Sequence, residues 1–330
     1  MSTLLAGYTL LEMAKQIGPD GTQMIIAEIM AKEMAMLLDI PWFPSNDIWS
    51  HKSLRQAKLS GGTWRGINEY VAAGTTLTDE IMDVIGIVED FAVYDKLWID
   101  RQPDPGKARM GRARMYIEGM SQEICSAILY SNNKVTPKKP HGLAPRLNAL
   151  GRYVIGNSGT GSDLTSCYVV TWGEGKCYGI YPKTGQAPGG EFPVMHKDMT
   201  GPEGRVDTNS SGNKLVIYED NFKFEGGIVI EDVRSIGRLA NIETAGTTNT
   251  FDPDNLITLI GNMKVTEKTV IYVNETILTQ MRIAMKDKQN VYFNPGKGTG
   301  LFGEPVLYFD SIPVRKIDSA ILLNTESAVA

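Results

Sequence analysis

Apolar residues recur with helical spacing along residues 106–131, the stretch around which the rest of the chain is organised. Successive apolar positions lie three or four residues apart, so a helix places them in one stripe. Asp104 and Pro105 suit the N-cap and the first turn, and Asn132 can end the helix. At about 1.5 Å per residue the predicted helix is roughly 39 Å long, the width of a whole domain. Its stripe consists of Met110, Ala113, Ile117, Met120, Ile124 and Ala127.

Two further helices are predicted near the N-terminus, and the second is dense in methionine. A T-x-x-E capping box at Thr9 starts the first helix, which ends near Gly18. The second covers about residues 22–38 and carries apolar groups on most sides, which so short a helix can hardly bury within its own domain. It is either a buried core helix or an arm that packs on a neighbouring subunit. The candidate contacts of such an arm are Ile29, Met30 and Met34.

Residues 48–80 are predicted to form a two-stranded ribbon. The pattern indicates one strand over residues 48–59, a turn at residues 60–62 and a second strand over residues 63–71. An isolated ribbon is marginally stable in water, so it has to lie on another surface. Its apolar side chains are of the kind that fill pockets on a partner. The candidates are Trp64, Ile67, Tyr70 and Val71, with Arg65 beside them.

The middle of the chain is rich in β signals. Residues 80–100 are predicted as one long β segment buried within a sheet. Residues 168–181 are predicted as a hairpin that turns at residues 172–175. Residues 185–212, rich in Gly, Pro, Ser and Asn, are predicted as loop. Proline residues between positions 137 and 145 indicate the entry into a second domain.

The last third of the chain mixes strands with two capped helices. Strand character returns over residues 215–224 and 227–241. Helices are predicted over residues 254–263 and from Asn274 to about residue 286, each after an N-capping side chain. The closing strands, over residues 291–317, are expected to return to the long helix. The whole pattern predicts an α+β fold.

Composition and charge exclude some classes of function. The chain of 330 residues is 42% hydrophobic and 22% charged, which is ordinary for a soluble globular protein. A net charge of -5 argues against a protein that coats nucleic acid over its whole surface. Cys125, Cys167 and Cys177 form no close pair, the N-terminus lacks the layout of a signal peptide, and no apolar run approaches about 18 residues. We therefore expect synthesis in a reducing cytoplasm and no membrane contact.

Basic residues crowd the first turns of the long predicted helix. The positive end of a helix dipole disfavours cations at this position. By helical angle these residues flank the apolar stripe, where long side chains can cover apolar surface and keep their charges in water. The pattern fits a solvated basic face, and it also fits a polyanion or an acidic partner surface nearby. This basic patch consists of Lys107, Arg109, Arg112 and Arg114.

The sequence contains no recognisable catalytic or ligand-binding motif. His51, His141 and His196 are scattered, and neither H-x-x-x-H nor C-x-x-C spacing occurs. The glycine-rich residues 157–163 resemble a phosphate loop, but they lack the G-K-[ST] that places a lysine on the phosphates. Residues 296–300 fail in the same way, because a strand rather than a helix follows them. We expect no catalytic residue, no cofactor and no metal, which favours a structural role.

Several stretches together resemble the major capsid proteins of short-tailed bacteriophages of the epsilon-fifteen-like group. Each match alone is short, but their order and spacing extend over nearly the whole chain, from about Trp42 to Leu322. The matching stretches are residues 63–68 (TWRGIN), 159–166 (GTGSDLTS), 169–174 (VVTWGE), 179–183 (GIYPK), 230–242 (IEDVRSIGRLANI) and 303–315 (GEPVLYFDSIPVR).

The resemblance implies the HK-97-type major capsid fold, of the α+β class. It identifies residues 106–131 as the spine helix and the ribbon as the extended loop that overlies a neighbour. The implied division of the chain is an N-terminal arm (1–44), an extended loop (45–80), a peripheral domain (81–139 and 290–330) and an axial domain (140–289). The long charged N-terminal extension that serves some relatives as a scaffold is missing, and the partners of a possible cross-link at Lys58 are not identified.

The function implied is that of a structural major capsid protein, not an enzyme, which self-assembles into an icosahedral phage head around double-stranded DNA. An encapsulin-like compartment of the same fold around protein cargo is the alternative, and an enzyme without a recognisable motif is the third. The implied partners are copies of the chain in hexamers and pentamers, scaffold, portal and decoration proteins, and packaged DNA through non-specific contacts. The implied location is the virion, after assembly in the host cytoplasm.

Two sets of intersubunit contacts follow from the resemblance together with the residue pattern. The first set is the ribbon residues Trp64, Arg65, Ile67 and Tyr70 with the arm residues Ile29, Met30 and Met34. The second is the basic patch, for which we favour acidic groups of a neighbouring subunit over DNA as the partner. A shell must form before DNA enters it, and the chain is acidic overall.

Overall fold

The structure, a computed structural model, combines helices with three β-sheets, and it confirms the α+β class. It describes residues 35–101, 105–183, 194–201, 203–208, 214–246, 248–284, 293–295 and 307–330. The helices are α1 (Ala35–Asp39), α2 (Lys96–Asp100), α3 (Pro105–Tyr130), α4 (Leu143–Arg146), α5 (Pro253–Asn262) and α6 (Glu275–Ala284).

The strands carry the labels β1 to β15 in chain order. They are β1 (Trp42–Pro44), β2 (Ser50–Lys58), β3 (Leu77–Val84), β4 (Gly86–Asp95), β5 (Val154–Gly156), β6 (Leu164–Thr171), β7 (Cys177–Tyr181), β8 (Val194–Asp198), β9 (Arg205–Thr208), β10 (Lys214–Ile230), β11 (Ile236–Glu243), β12 (Thr269–Val273), β13 (Phe293–Pro295), β14 (Leu307–Phe309) and β15 (Ile312–Lys316). A 3₁₀ turn, Val233–Ser235, links β10 to β11.

The long helix predicted from the apolar stripe is confirmed as α3. It begins at Pro105 and ends at Tyr130, and the predicted cap Asp104 lies outside the described residues. The stripe from Ala113 to Ala127 is buried, with Met110 half-buried at its start. The helix therefore lies on the body of the subunit with the predicted side inward.

The six-stranded sheet is organised by β10, a strand of 17 residues. Residues 217–226 pair antiparallel with β4, while β8 and β9 pair along the opposite edge. Its last four residues, 227–230, pair with β7, which pairs in parallel with β1. Helix α3 covers one face of this sheet, where Ala92, Tyr94 and Phe222 share its core.

The seven-stranded sheet has the order β13-β14-β15-β12-β6-β11-β5. Its central strands β6 and β12 are buried at every position. Side chains of one face, such as Val169 and Ile271, pack against α5 and α6. Side chains of the other face, such as Tyr168 and Tyr272, share a core with the second half of α3. The sheet is thus a middle layer between helices, and the α5 and α6 predictions are confirmed.

The chain passes from one sheet to the other at residues 172–177, where the sequence predicted a hairpin. The Gly173 N–H donates to the Cys177 carbonyl at 2.9 Å, and Gly173 and Gly175 adopt φ of 144° and 72°. The hairpin prediction is nevertheless wrong, because β6 lies in the seven-stranded sheet and β7 in the six-stranded sheet. Both strands are buried at every position. Each strand pairs with neighbours in its own sheet and not with the other strand.

Residues 80–100 do not form the single buried β segment that the sequence predicted. They contain the end of β3, all of β4 and helix α2, which begins after Asp95 because its carboxylate accepts the Leu97 N–H at 2.8 Å. The side chains of Ile87, Phe91 and Val93 on the outer face of β4 are exposed. Residues 185–212 were predicted as loop, yet they contain β8 and β9, which extend the sheet beside β10.

Of the last strands, β15 pairs with β12 and β14 pairs with β15 in the seven-stranded sheet, so the two strands do not return to the long helix. The chain after them does, because Ile317, Ile321 and Leu322 pack in the core that contains α3. Glu326 fixes this tail: it accepts hydrogen bonds from Tyr130 and Ser166 and lies 2.9 Å from Arg238. The division into peripheral and axial domains stays a prediction. None of the described helices is long and apolar enough to cross a membrane.

Candidate assembly interface

The ribbon exists, but its second strand differs from the predicted one. Strand β2 pairs antiparallel with β3, from Ser50 opposite Val84 to Lys58 opposite Leu77. Residues 63–71, predicted as the second strand, form part of the tip between the two strands. Asn68 there has a φ of 67°, which interrupts extended backbone. We call residues 50–84 the ribbon and residues 59–76 the ribbon tip.

The candidate contact residues of the ribbon lie together at its tip and are not covered by the rest of the described chain. Trp64, Ile67 and Tyr70 have exposed fractions of 102%, 95% and 104%. Arg65 is exposed too, and it donates to the Glu69 carbonyl at 3.3 Å within the same turn. The tip is therefore outside the core of its own subunit, as predicted. Its contact with a neighbour stays a prediction.

The base of the ribbon is joined to the body by polar side chains. Asp83 accepts a hydrogen bond from the Arg146 guanidinium at 2.6 Å. Arg55 donates to the Ile230 carbonyl. His51 Nε2 lies 3.1 Å from the Tyr178 hydroxyl, and that hydroxyl donates to the Glu231 carboxylate at 2.6 Å. Strand pairing fixes the shape of the ribbon, and these contacts fix its direction relative to the body.

The basic patch at the start of α3 needs a correction at Arg109. Its side chain is buried, with Nε donating to Asp220 Oδ2 at 2.7 Å and a terminal nitrogen lying 2.5 Å from Asp220 Oδ1. The same terminal nitrogen lies 3.1 Å from Asp198. His196 donates from Nε2 to Asp220 at 3.0 Å. A neighbouring subunit is therefore not the source of the compensating charge for Arg109, because two carboxylates of the same chain supply it.

The protonation states of this cluster follow from its contacts. Burial alone would lower the pKa of Arg109, but the hydrogen bonds and charges of Asp220 and Asp198 hold that pKa above its ordinary value. Burial alone would raise the pKa of Asp198. The Thr200 amide and the Arg109 guanidinium outweigh burial and keep the pKa of Asp198 below its ordinary value. The cluster is thus a charged bond between α3 and strands β8 and β10.

Of the other three members of the basic patch, the structure describes the side chain of Arg114. Arg114 is exposed. The side chains of Lys107 and Arg112 lie outside the described residues. Their acidic or nucleic-acid partners stay a prediction.

The arm contacts Ile29, Met30 and Met34 also lie outside the described residues. The described part of the predicted methionine-rich helix is α1, where Met36 and Leu37 are buried. Asp39 at its end accepts a hydrogen bond from Tyr272 at 2.7 Å and lies 3.0 Å from Arg315. These contacts fix the end of α1 beside the seven-stranded sheet.

Sequence reasoning missed the polar contacts at the base of the ribbon and the cluster of charged residues around Arg109. Within the described part of the chain, no three His, Cys, Asp or Glu residues are placed to hold a metal ion. The three cysteines are free and buried. The sequence signal for the Arg109 cluster was the carboxylate pair Glu219 and Asp220 directly after the apolar run 215–218, which indicates a buried charge in need of a partner.

Comparisons with known proteins give a matching family and several solved structures of similar fold. A family model described as major capsid protein GP7 matches residues 18–330. A solved structure of bacteriophage Epsilon15 is 24% identical, with a TM-score of 0.66 over 89% of this chain and 88% of that chain. The bacteriophage JBD30 capsid is 9% identical, with a TM-score of 0.48 over 86% of this chain and 90% of that one. The SrpI encapsulin complex of Synechococcus elongatus PCC 7942 is 9% identical, with a TM-score of 0.44 over 66% and 90%. No match was found among curated proteins.

The fold is that of the HK-97-type capsid proteins, the class that forms the shells of tailed phages. The chain belongs to the major capsid protein GP7 family, whose model covers nearly its whole length. It is a structural protein that assembles into the multimeric capsid of the virion and forms the phage head. The encapsulin alternative is weaker, because the matching family is one of capsid proteins, and membership of a structural family argues against an enzyme.

Proposed function

We propose that the subunits of this head are joined by the ribbon tip, which binds a neighbouring copy of the chain. The observation that carries this proposal is the exposure of three large side chains, Trp64, Ile67 and Tyr70, at the end of a ribbon that projects from its own core. Aromatic side chains of this kind supply much of the binding energy at protein interfaces when a partner covers them. A water-exposed cluster of such side chains has no stabilising role inside the isolated subunit.

A second exposed apolar surface favours contact between copies. The outer face of β4 carries Ile87, Phe91 and Val93, each between 44% and 46% exposed. Neighbouring positions on the same sheet are occupied by charged side chains such as Glu89 and Lys223. Phe91 and Val93 are neighbours on this face, Glu89 separates them from Ile87, and an exposed apolar surface bordered by charged side chains is typical of one that another protein covers.

Contacts between copies of the chain at these two surfaces would build a shell. We expect hexamers and pentamers of this chain in an icosahedral head that encloses double-stranded DNA. Scaffold, portal and decoration proteins are further expected partners, with the DNA held by non-specific contacts inside. Assembly is expected in the host cytoplasm. A shell of one repeated subunit needs only that each copy presents the same donor and receptor surfaces.

The test is assembly of a Trp64→Ala variant. Removing an aromatic anchor typically costs about 2 kcal/mol or more at an interface, and a shell repeats that cost in every subunit. We expect the unassembled subunit to unfold at the same denaturant concentration as the wild type, while shells seen by electron microscopy become rare. Light scattering gives the threshold concentration for assembly, which should rise at least tenfold.

Leu54→Ala is the matched control for this test. Leu54 lies on the same ribbon, outside the tip, and is also exposed. It should leave the assembly threshold within about twofold of the wild type, a difference of roughly 0.4 kcal/mol. If Trp64→Ala assembles like the control, or destabilises the subunit as much as it weakens assembly, the ribbon tip is not the intersubunit contact.

A further inference from the structure

The inner face of the ribbon at its base differs chemically from its outer face. The register of β2 with β3 places His51 opposite Asp83 and Ser53 opposite Ile81, so these side chains and Arg55 share one face, which is turned towards the body. On these strands Leu54, Leu77 and Met82 are exposed, whereas Ile81 on the inner face is half-buried. We call the inner residues with their partners the ribbon-base cluster: His51, Ser53, Arg55, Asp83, Arg146, Tyr178 and Glu231.

The contacts between the ribbon and the body in this cluster are polar. Two of the three junctions involve a guanidinium, because Arg146 donates to Asp83 and Arg55 donates to the Ile230 carbonyl. The third is the His51 ring against the Tyr178 hydroxyl. Polar contacts are directional and can be exchanged for others, whereas apolar packing holds a unit through its shape.

The cluster is also incompletely satisfied. Among the described residues, Arg55 Nε, Asp83 Oδ2, Ser53 Oγ and His51 Nδ1 are buried and have no hydrogen-bond partner. A buried donor or acceptor left unpaired typically costs about 1–3 kcal/mol, so four in one place weaken the observed arrangement. Donors and acceptors are both present among the four atoms. A rearrangement within the cluster can therefore pair some of them without any outside group.

The charges around Arg55 also weaken the observed arrangement. Burial, and then the like charge of Arg146, hold the pKa of Arg55 below its ordinary value, although Asp83 and Glu231 favour its cation. The Arg55 cation is thus poorly stabilised where it lies. Within the described residues, its hydrogen bond to the body ends on the neutral Ile230 carbonyl, while Asp83 binds Arg146 through Oδ1.

Arg146 connects this cluster to the end of the long helix. Besides Asp83, its guanidinium reaches the carbonyls of His141 and Gly142, at 2.9 Å and 3.2 Å. The Gly142 N–H in turn donates to the Ser131 carbonyl, directly after α3, at 2.7 Å. One side chain therefore bonds both the ribbon and the segment that follows the helix.

We propose that the ribbon-base cluster is a latch: it holds the ribbon in one direction through exchangeable polar contacts and lets it swing as a unit when they are exchanged. Ile85, buried directly after β3, is the fixed point of this movement, because it packs with Ile180 and Val229 of the six-stranded sheet. Strand pairing keeps the ribbon itself intact during the movement. The latch governs assembly only if the ribbon tip binds a neighbour, as proposed above.

The test measures the direction of the ribbon in the full-length, unassembled subunit. Spin labels at Ala72→Cys in the ribbon tip and Glu267→Cys in the body report one distance, and the three native cysteines are buried. Double electron–electron resonance should give one dominant distance in the otherwise unchanged chain. Asp83→Asn should at least double the width of the distribution or add a second distance, because it weakens the bond to Arg146.

Glu80→Gln is the matched control, since Glu80 lies on the same strand but pairs with Lys52 on the outer face of the ribbon. It should leave the distribution unchanged. Arg146→Lys, which keeps the charge but loses the guanidinium fork, should broaden it as Asp83→Asn does. Amide exchange of β6 shows whether each variant keeps its fold. If both latch variants keep the wild-type distance, or if they unfold the subunit without redirecting the ribbon, the latch does not exist. Either result leaves the role of the tip to the assembly test of Trp64.

Discussion

The long helix and the ribbon differ in how completely their buried charged residues are paired. In α3, Arg109 is enclosed by Asp220 and Asp198, and the far end of the helix is tied through Tyr130 to Glu326. In the ribbon-base cluster, Arg55 and Asp83 each leave a buried atom without a partner within the described residues. In the Arg109 cluster His196 Nδ1 also has no partner within the described residues, but the charged atoms there are paired. The comparison teaches that this subunit combines a fixed frame with an adjustable projection, and that the pairing of the charged atoms distinguishes the two.

The largest expected effect is on the frame, in Arg109→Met. The change leaves Asp220 and Asp198 buried without their guanidinium, and breaking a buried ion pair typically costs about 3–5 kcal/mol. Urea unfolding of the unassembled subunit measures the loss. Arg114→Met, at an exposed position on the same helix, should cost less than about 1 kcal/mol. Equal losses in the two variants would show that the Arg109 cluster does not fix the helix.

Glu326→Gln tests the other end of the frame, with a smaller expected loss. Arg238, Ser166 and Tyr130 all bond to this carboxylate, and hydrogen bonds to charged groups contribute about 1.5–3 kcal/mol. Unfolding in urea should show a loss of this size, with amide exchange rising first in the residues after β15. A neutral result would mean that the apolar side chains and backbone hydrogen bonds of the tail hold it without the Glu326 carboxylate.

Acid should weaken the frame through Asp198. Its pKa is below the ordinary value in the folded subunit, so its contribution to stability is complete above the pKa of the unfolded chain, about 4. That contribution is lost as the pH falls through the lower folded pKa. The difference in unfolding free energy between wild type and Asp198→Asn should therefore be constant above pH of about 4 and shrink below it. A difference that does not change with pH would show that the ionised Asp198 does not contribute to the charged bond with Arg109.

The smallest effect belongs to the outer face of the ribbon. Glu80 and Lys52 lie 3.4 Å apart and are both more than half exposed. Exposed ion pairs contribute about 0–1 kcal/mol, so Glu80→Gln should change neither subunit stability nor the assembly threshold beyond that range. A larger effect on assembly alone would mean that a neighbouring copy covers this pair, and the ribbon would then bind through its strands as well as its tip.

Local signals predicted α3, α5 and α6, because the causes of these helices lie within a few residues, whereas α2 and α4 were not predicted. Asp252 accepts the Asp254 N–H at 3.0 Å and Asn274 accepts the Ile277 N–H at 2.9 Å, as their capping positions indicated. The stripe of α3 is a spacing of three and four residues, which one turn of helix explains. These features need no information from the rest of the chain.

The features that sequence reasoning missed depend on distant residues. Arg109 and its partner Asp220 are 111 positions apart, so no local pattern announces their contact. The sheet to which β7 belongs is likewise set by β10 and β1, not by the turn before it. The second strand of the ribbon was misplaced because residues 63–71 have strand-like composition but no strand beside them. The resemblance to capsid proteins predicted the architecture, whereas the side-chain contacts and the strand pairing were found only in the structure.

The length of β10 has a mechanical consequence. At about 3.3 Å per residue its 17 residues extend over roughly 55 Å, from the strands beneath α3 to the strands that adjoin the turn between the sheets. Tension between these two halves of the subunit is carried by covalent bonds along one backbone, not by side-chain contacts in series. Stretching forces would therefore distort the flanking loops before they separate the two halves of the six-stranded sheet. Gly226 and Gly227, where the strand changes partners, are packed so closely against Trp42, Phe224 and the Val84 carbonyl that a side chain would not fit there.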